Sequence, residues 1–210
     1  MRQHADRADV PLPDGRTVHV RPVRGTDAAA LRELHEGLSG RSVYLRYLLP
    51  RRFSDADLAR ELAVGDRRTA LVAELSGRLV GIGEYVRLPT GGRAELAVTV
   101  ADAQQGLGIG TALLGRLARH AVEQGVRELV AEVLPDNHPM LSALAATGYR
   151  MRRHPADGVV RVVLSLDAVG RAEAARRAGH DLAFRAAVRT GDALGRAGRA
   201  LGLHRALRRR

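Results

Sequence analysis

The order of strand-like and helix-like segments along the chain predicts an α/β (α+β) fold. Leu96, Val98 and Val100 alternate with polar or small residues, which is the period-two pattern of a strand. Over residues 110–126 the apolar residues recur at helical spacing instead. Because the pattern changes within a cluster of glycines, the sequence predicts a strand, a glycine-rich turn and a helix in direct succession.

The other segments follow the same two periodicities. Strands are predicted over residues 16–23, 69–75, 79–86, 128–134 and 158–166. The first helix is expected to have Thr26 as its N-cap, and a second helix to begin at Ser54 with Asp57 completing a capping box. A short helix over residues 137–147 should end at Gly148.

The glycine-rich turn has the features of a pyrophosphate site. Unpaired N–H groups and the positive end of the helix dipole meet where a helix begins, and glycines let an anion approach the backbone. A Walker loop is excluded because Thr111, not lysine, follows Gly110. A dinucleotide fingerprint is excluded because Thr111 stands where its third glycine should be. A ligand-free turn is the remaining alternative.

Gln105, Gly108 and Gly110 form a Q-x-x-G-x-G pattern that resembles the coenzyme A loop of the GNAT N-acetyltransferase superfamily. The order of elements over residues 14–166 is also similar to that superfamily. The segments DGRTVHVRPVRGTD, LHEGLSGRSVYLRYL and LVAEVLPDNHPML resemble, more narrowly, the catalytic domain of bacterial Pat-type protein lysine acetyltransferases. This resemblance implies a GNAT domain over residues 14–166, with a mixed, mostly antiparallel central sheet, flanking helices and two splayed central strands.

The resemblance also implies a function. It indicates an N-acetyltransferase that takes acetyl from acetyl-coenzyme A (acetyl-CoA) and passes it directly to a primary amine, with a protein lysine favoured as acceptor. The alternatives are a small-molecule amine acetyltransferase and a non-catalytic acyl-CoA sensor. The absence of cysteine argues against a covalent acetyl-enzyme.

Several residues are expected to hold the coenzyme. Backbone N–H groups freed by a bulge in the strand should hold the thioester oxygen. In the superfamily a tyrosine often protonates the departing thiolate, but Leu144 stands at that position here. The expected coenzyme contacts are Val98, Thr99, Val100, Gln105, Gly106, Leu107, Gly108, Ile109, Gly110, Thr111 and Asn137.

A base is required because a lysine amine, with a pKa near 10.4, is protonated at neutral pH. Glu95 is our first candidate, since its strand face is otherwise small and the resemblance places a glutamate base there. Glu84 would oppose Glu95 if the hairpin between their strands were centred near Pro89 and Thr90. Glu132 is a third candidate.

Each of the two secondary candidates also has a purely structural interpretation. Glu84 could instead form an ion pair with Arg87 or Arg93. Glu132 could orient Asn137 or an arginine.

Composition restricts the kinds of site and the cellular location that we expect for this chain. No cysteine occurs, and no histidine pair has metal-ligand spacing, so we expect no disulfide and no metal. The first 15 residues lack the apolar segment of a signal peptide, and no apolar run approaches the roughly 18 residues of a membrane span. A cytoplasmic location is therefore predicted.

Basic charge is concentrated at the C-terminal end. The chain has a net charge of +11, and residues 171–210 contain many arginines and few acids. This arginine-rich tail is expected to be helical or disordered and to suit an anionic partner. The sequence leaves open whether the chain forms a homodimer.

Overall fold

The computed structural model describes residues 7–89 and 91–167, which form eight β-strands and five α-helices. The strands are β1 (Ala8–Pro11), β2 (Thr17–Pro22), β3 (Arg68–Leu75), β4 (Arg78–Arg87), β5 (Arg93–Val100), β6 (Glu128–Val133), β7 (Arg150–Ala156) and β8 (Val159–Ser165). The helices are α1 (Ala28–Glu36), α2 (Gly40–Tyr47), α3 (Asp55–Leu62), α4 (Ile109–Glu123) and α5 (His138–Ala146).

All eight strands belong to one sheet with the order β1-β2-β3-β4-β5-β6-β8-β7. Every neighbouring pair is antiparallel except β5 and β6, which are parallel. The parallel pairing joins only residues 93–95 to residues 128–130, although β5 continues to Val100 and β6 to Val133. The two strands therefore separate after a short paired segment, which confirms the predicted mixed sheet with splayed central strands.

The two faces of the sheet carry different layers. On one face, Leu113, Leu114 and Leu117 of α4 are buried in the main core. Gly83 of β4 lies beneath this helix, because a Cβ atom there would come within 2.8 Å of Leu117 Cδ1. On the other face, α1 and α3 cover β3 and β4 with a smaller apolar cluster that includes Leu31.

Helix α2 differs from the other helices because it has no buried residue. It begins at the N-cap Ser39 and ends at Leu48, whose φ of 60° places it in the left-handed region. The helix packs near the end of β5 and is joined to the rest of the protein through polar side chains. The sequence analysis did not predict α2, nor β1 and β7.

Two predicted helix starts have different outcomes. The capping box of Ser54 and Asp57 is present at the start of α3, as predicted. Thr26 is not the N-cap of α1, because a 3₁₀ turn at Gly25–Asp27 precedes that helix. The carboxylate of Asp27 organises this turn by accepting bonds from the Arg24 backbone N–H at 2.7 Å and from the Arg21 guanidinium.

The arginine-rich tail over residues 171–210 lies outside the described residues. A helix long and apolar enough to cross a membrane does not occur in the part of the chain that the structure describes.

Candidate active site

A cleft of about 440 Å³ opens where β5 and β6 separate. Its walls come from the end of β5, the loop that leads into α4, the end of β6, the first turns of α5, and α2. Pro13, Leu96, Ala97, Val98, Leu114, Ala131 and Met140 give it an apolar interior. Polar residues of the loop, including Gln104, Gln105 and Thr111, line one part of it, which suits a long ligand with a polar end.

The backbone of β5 supplies unpaired N–H groups to this cleft. Ala101 donates its N–H to Val80 O at 2.9 Å, and Arg93 O accepts from Leu88 N at 2.9 Å. Odd-numbered residues of β5 therefore direct their backbone groups to β4, and even-numbered residues direct theirs to the β6 side. Val98 and Val100 thus point their N–H groups toward the gap, whereas Thr99 points its N–H toward β4.

The expected bulge is wrong. The ladder between β4 and β5 runs without a register shift from the pair Arg87 and Ala94 to the pair Gly81 and Val100. The N–H groups are free because β6 has left the sheet plane at this point, and a bulge is not needed to release them.

The loop between β5 and α4 has the shape that an anion site requires. Gly106 and Gly108 have φ values of 76° and 90°, which residues other than glycine rarely adopt. The first intrahelical bond runs from Ala112 N to Gly108 O at 3.0 Å. The N–H groups of Ile109, Gly110 and Thr111 are therefore left without intrahelical partners at the positive end of the helix dipole.

Three buried polar atoms of cleft-lining residues also lack partners within the described residues. Thr99 Oγ1, Gln104 Oε1 and Arg46 Nε are buried, and none of them forms a hydrogen bond. All three residues line the cleft. Since buried polar groups are normally satisfied, these atoms indicate a site that a polar ligand or water completes. The loop, the strand N–H groups and these atoms together fit a coenzyme with a pyrophosphate and an amide-containing arm.

Asn137 caps α5 and also faces the cleft. Its side-chain oxygen accepts from Met140 N at 3.2 Å, and the residue is 9% exposed. Leu144 is fully buried in the main core and is not among the cleft-lining residues, whereas Ser142 and Ala143 are. Helix α5 therefore lines the cleft with Ser142 and Ala143, and not with Leu144, the position that the resemblance indicated.

Glu95 and Glu84 lie on the sheet face opposite α4 but in different environments. Glu95 is exposed and belongs to the last residue pair between β5 and β6. Glu84 is buried, accepts from Arg46 at 2.9 Å, and is bound by both Nε and the terminal nitrogen of Arg68. Arginine donors occupy both oxygens of Glu84, which makes it a structural ion pair.

The predicted opposition of Glu84 and Glu95 is wrong. Glu84 pairs with Ala97, and Glu95 pairs with Val86. The predicted ion-pair partners of Glu84 are also wrong: Arg87 donates to Gln124 O at 2.9 Å, and Arg93 donates to Glu128 at 2.8 Å.

Glu132 lines the cleft and forms an ion pair with Arg161 at 2.8 Å. No cluster of three or more His, Cys, Asp or Glu side chains suited to a metal ion occurs within residues 7–89 and 91–167.

The sequence analysis missed Ser42 and Arg46, which line the cleft from α2. Their only signal was the segment SGRSVYLRYL, which was recognised by resemblance and not by helical periodicity.

Comparisons with known proteins agree with this geometry. A family model described as the acetyltransferase (GNAT) family matches residues 34–149. "Acetyltransferase PA5475" of Pseudomonas aeruginosa is 32% identical over 157 residues, which cover 70% of this chain and 82% of that protein.

Solved structures show the same fold. The GNAT domain of S. lividans PAT superposes with a TM-score of 0.72 and 37% identity, covering 77% of this chain and 98% of that one. Mycobacterium smegmatis RimJ in complex with CoA-disulfide superposes with a TM-score of 0.61 and 23% identity, covering 81% and 91% of the two chains.

The family model spans more than half of the chain, and the sequence relative is matched over most of its length. The splayed strands and the glycine-rich helix start supply the corresponding coenzyme cleft. The chain therefore belongs to the GNAT acetyltransferase family, as an N-acetyltransferase with acetyl-CoA as its acetyl donor.

Proposed function

We propose that this enzyme acetylates lysine side chains of other proteins by direct transfer from acetyl-CoA. The observation that carries the proposal is the position of Glu95, an exposed carboxylate at the point where β5 and β6 separate. The likeness to the GNAT domain of S. lividans PAT and the resemblance of three sequence segments to Pat-type enzymes support a protein acceptor.

The cleft reaches the sheet face that carries Glu95, since Ala97, Thr99 and Glu132 of that face line it. Strand register places Glu132 of β6 and Arg161 of β8 on the same face, and both side chains are about half exposed. A protein surface can approach a carboxylate in this position, and the narrow side chain of a lysine can reach past it toward the cleft.

The proposed reaction has one bond-forming and one bond-breaking step. Glu95 accepts a proton from the lysine ammonium, directly or through water, and leaves a neutral amine. The amine nitrogen attacks the thioester carbonyl carbon, and the backbone N–H of Val98 stabilises the negative charge that develops on the oxygen. The C–N bond forms, the C–S bond breaks, and the sulfur leaves as a thiolate that solvent protonates.

The proposed coenzyme contacts follow the geometry of the loop. The N–H groups of Ile109, Gly110 and Thr111 would hold the pyrophosphate, and Gly106, Leu107 and Gly108 would let it approach the backbone. The backbone of Val98 and Val100 and the buried side chain of Asn137 would bind the amide-containing arm. The side chain of Gln105 is used within the protein, where it bonds Val100 O at 3.1 Å.

The test is transfer of labelled acetyl from acetyl-CoA into a fractionated cell extract by the wild-type enzyme and by Glu95→Gln. The enzyme contains no lysine, so labelling of its own side chains will not obscure the result. We expect label in protein lysines and at least a tenfold lower kcat/KM for Glu95→Gln with acetyl-CoA binding retained. Glu33→Gln is the control, because Glu33 is exposed and its carboxylate is paired with the exposed Arg78.

Other outcomes would contradict the proposal. Label confined to small molecules would identify a small-amine acetyltransferase. Coenzyme binding without transfer to either fraction would favour the acyl-CoA sensor. A loss below tenfold in Glu95→Gln would remove Glu95 from the role of base. The cytoplasmic location, the homodimer and the anionic partner of the tail stay predictions.

A further inference from the structure

A hydrogen-bond cluster joins the coenzyme loop to α2 across 60 to 63 residues of sequence. At its centre is Asp102, the first residue of a 3₁₀ turn at Asp102–Gln104 that directly follows β5. One carboxylate oxygen accepts from the Ser39 backbone N–H at 2.9 Å, and the other accepts from Ser42 Oγ at 2.6 Å. Both serines lie at the start of α2, where Ser39 is the N-cap.

Gln105 extends the same cluster into the coenzyme loop. Its amide nitrogen lies 3.2 Å from Ser42 Oγ, 3.2 Å from Asp102 Oδ1 and 3.1 Å from Val100 O. Gln105 therefore links the loop, the end of β5 and α2. A ligand that orders the loop must also order the residues to which α2 is attached.

Helix α2 depends on such contacts because none of its residues is fully buried. Its C-terminal half is attached through the ion pair of Arg46 with Glu84, and its N-terminal end through Asp102. Segments with few buried apolar contacts open locally at low free energy. The helix nevertheless provides Ser42, Leu45 and Arg46 to the wall of the cleft.

We propose that Asp102 is a positioning residue that fixes α2 to the coenzyme loop, so that binding of acetyl-CoA orders the wall against which the acceptor docks. Asp102 touches neither reacting atom in this proposal and acts through Ser39 and Ser42. Acetyl-CoA and acceptor then bind with positive coupling, since each favours the same arrangement of α2.

The first experiment requires no acceptor and uses CoA as the probe. Hydrogen exchange of residues 40–47 is measured with and without saturating CoA in wild type, Asp102→Ala and Asp102→Asn. We expect CoA to slow exchange of this segment in wild type, to leave it nearly unchanged in Asp102→Ala, and to have an intermediate effect in Asp102→Asn, which retains one acceptor oxygen. Glu33→Gln serves as the matched charge-removal control and should behave like wild type.

Three results would overturn the proposal. One is equal slowing by CoA in wild type and Asp102→Ala. Another is loss of CoA binding by a folded Asp102→Ala, which would show that Asp102 maintains the coenzyme loop itself and does not act by positioning α2. If Asp102→Ala does not fold, Ser42→Ala removes the helix side of the same bond, and wild-type exchange behaviour in that variant would contradict the coupling.

The second experiment is kinetic and rests on the proposed function, because it uses the lysine acceptor identified there. Asp102→Ala should raise the acceptor KM, measured at saturating acetyl-CoA, about fivefold or more, the lower end of usual coupling between sites. The value of kcat and the Kd for CoA measured without acceptor should change less than twofold. A fall in kcat with an unchanged acceptor KM would contradict a positioning role. Adding Ser42→Ala to Asp102→Ala should raise the acceptor KM little further, since both substitutions remove the same hydrogen bond between Ser42 and Asp102.

The two proposals can fail separately. If the enzyme does not acetylate lysine, the exchange experiment still tests the link between CoA and α2. If Asp102 has no positioning role, Glu95→Gln still tests the base.

Discussion

Glu84 and Glu95 lie diagonally across the ladder between β4 and β5, with Ala97 opposite the first and Val86 opposite the second. Glu84 is buried between Arg46 and Arg68, whereas Glu95 is exposed and precedes Leu96, the first residue of β5 that lines the cleft. The small side chain of Ala97 separates the two carboxylates along the strand. One carboxylate thus holds α2 and β3 to β4, and the other stays exposed.

Replacement of Glu84 should reduce stability more than replacement of Glu95. Glu84→Gln leaves two partly buried guanidinium groups without their anion, and we expect a loss of about 3 kcal/mol in the free energy of unfolding. Glu95→Gln, at an exposed position, should change it by less than about 0.5 kcal/mol. Urea unfolding of both variants measures the difference, and equal losses would contradict the assignment.

Gly108→Ala should impair coenzyme binding. The residue has a φ of 90°, and an added Cβ would lie 3.0 Å from Pro13 Cδ. Because the loop must shift to relieve this contact, we expect at least a tenfold higher Kd for CoA by calorimetry.

Gly115→Ala is the matched control for this change. Gly115 lies within α4, and an added Cβ there meets no atom within 4 Å. Alanine at this position should stabilise the helix by up to about 1 kcal/mol and leave the Kd unchanged. Wild-type affinity in Gly108→Ala would show that the loop tolerates a side chain.

The contribution of Asp102 to stability should depend on pH. Burial raises the pKa of Asp102, but hydrogen bonds from Ser39 and Ser42 outweigh that effect, and the pKa lies below its ordinary value of 3.8. The folded protein therefore binds this proton less readily than the unfolded chain, so the contribution is complete above about pH 4 and is lost as the pH falls through the folded value. Urea unfolding of wild type and Asp102→Ala should differ at pH 7, and the difference should shrink as the pH falls below about 4. A difference that grows on acidification would contradict this sign.

Two tyrosines should respond oppositely to loss of their hydroxyl groups. Tyr47 OH is buried without a hydrogen-bond partner in the described residues, and burial raises the pKa of Tyr47 to about 12. Tyr85 OH lies 2.8 Å from His120 Nδ1. We expect Tyr47→Phe to be neutral or stabilising and Tyr85→Phe to cost about 1 kcal/mol in the free energy of unfolding. A larger loss for Tyr47→Phe would indicate that a water or ligand satisfies that hydroxyl.

Most strands and helices could be predicted because their signals are local. Alternation identified β5, helical spacing identified α4, and the capping box of Ser54 and Asp57 marked the start of α3. Helix α2 could not be found in this way, since a helix without buried residues has no apolar face to impose a period. The exposed strand β7, with three arginines and a histidine among its seven residues, similarly lacks the alternation of a half-buried strand.

The candidate site shows the same division between local and long-range information. The glycine-rich loop was visible because its anion-binding geometry comes from consecutive residues. The partners of Glu84 were not visible, because Arg46 and Arg68 are separated from it by 38 and 16 residues. The register between β4 and β5 was predicted two residues away from the observed one, and a shift of two residues keeps the same side chains on the same face, so the pattern of residue types does not reveal it.

The sequence by itself determined the order of elements, the glycine-rich loop between strand and helix, and the family resemblance. Each of these depends on residue types at positions that are close together in the chain. Tertiary structure alone decided which carboxylate is buried by arginines and which is exposed, since that depends on strand register and on side chains brought in from α2 and β3. It also decided that N–H groups are freed by strand separation and not by a bulge, because the end of a parallel pairing depends on where two distant strands diverge.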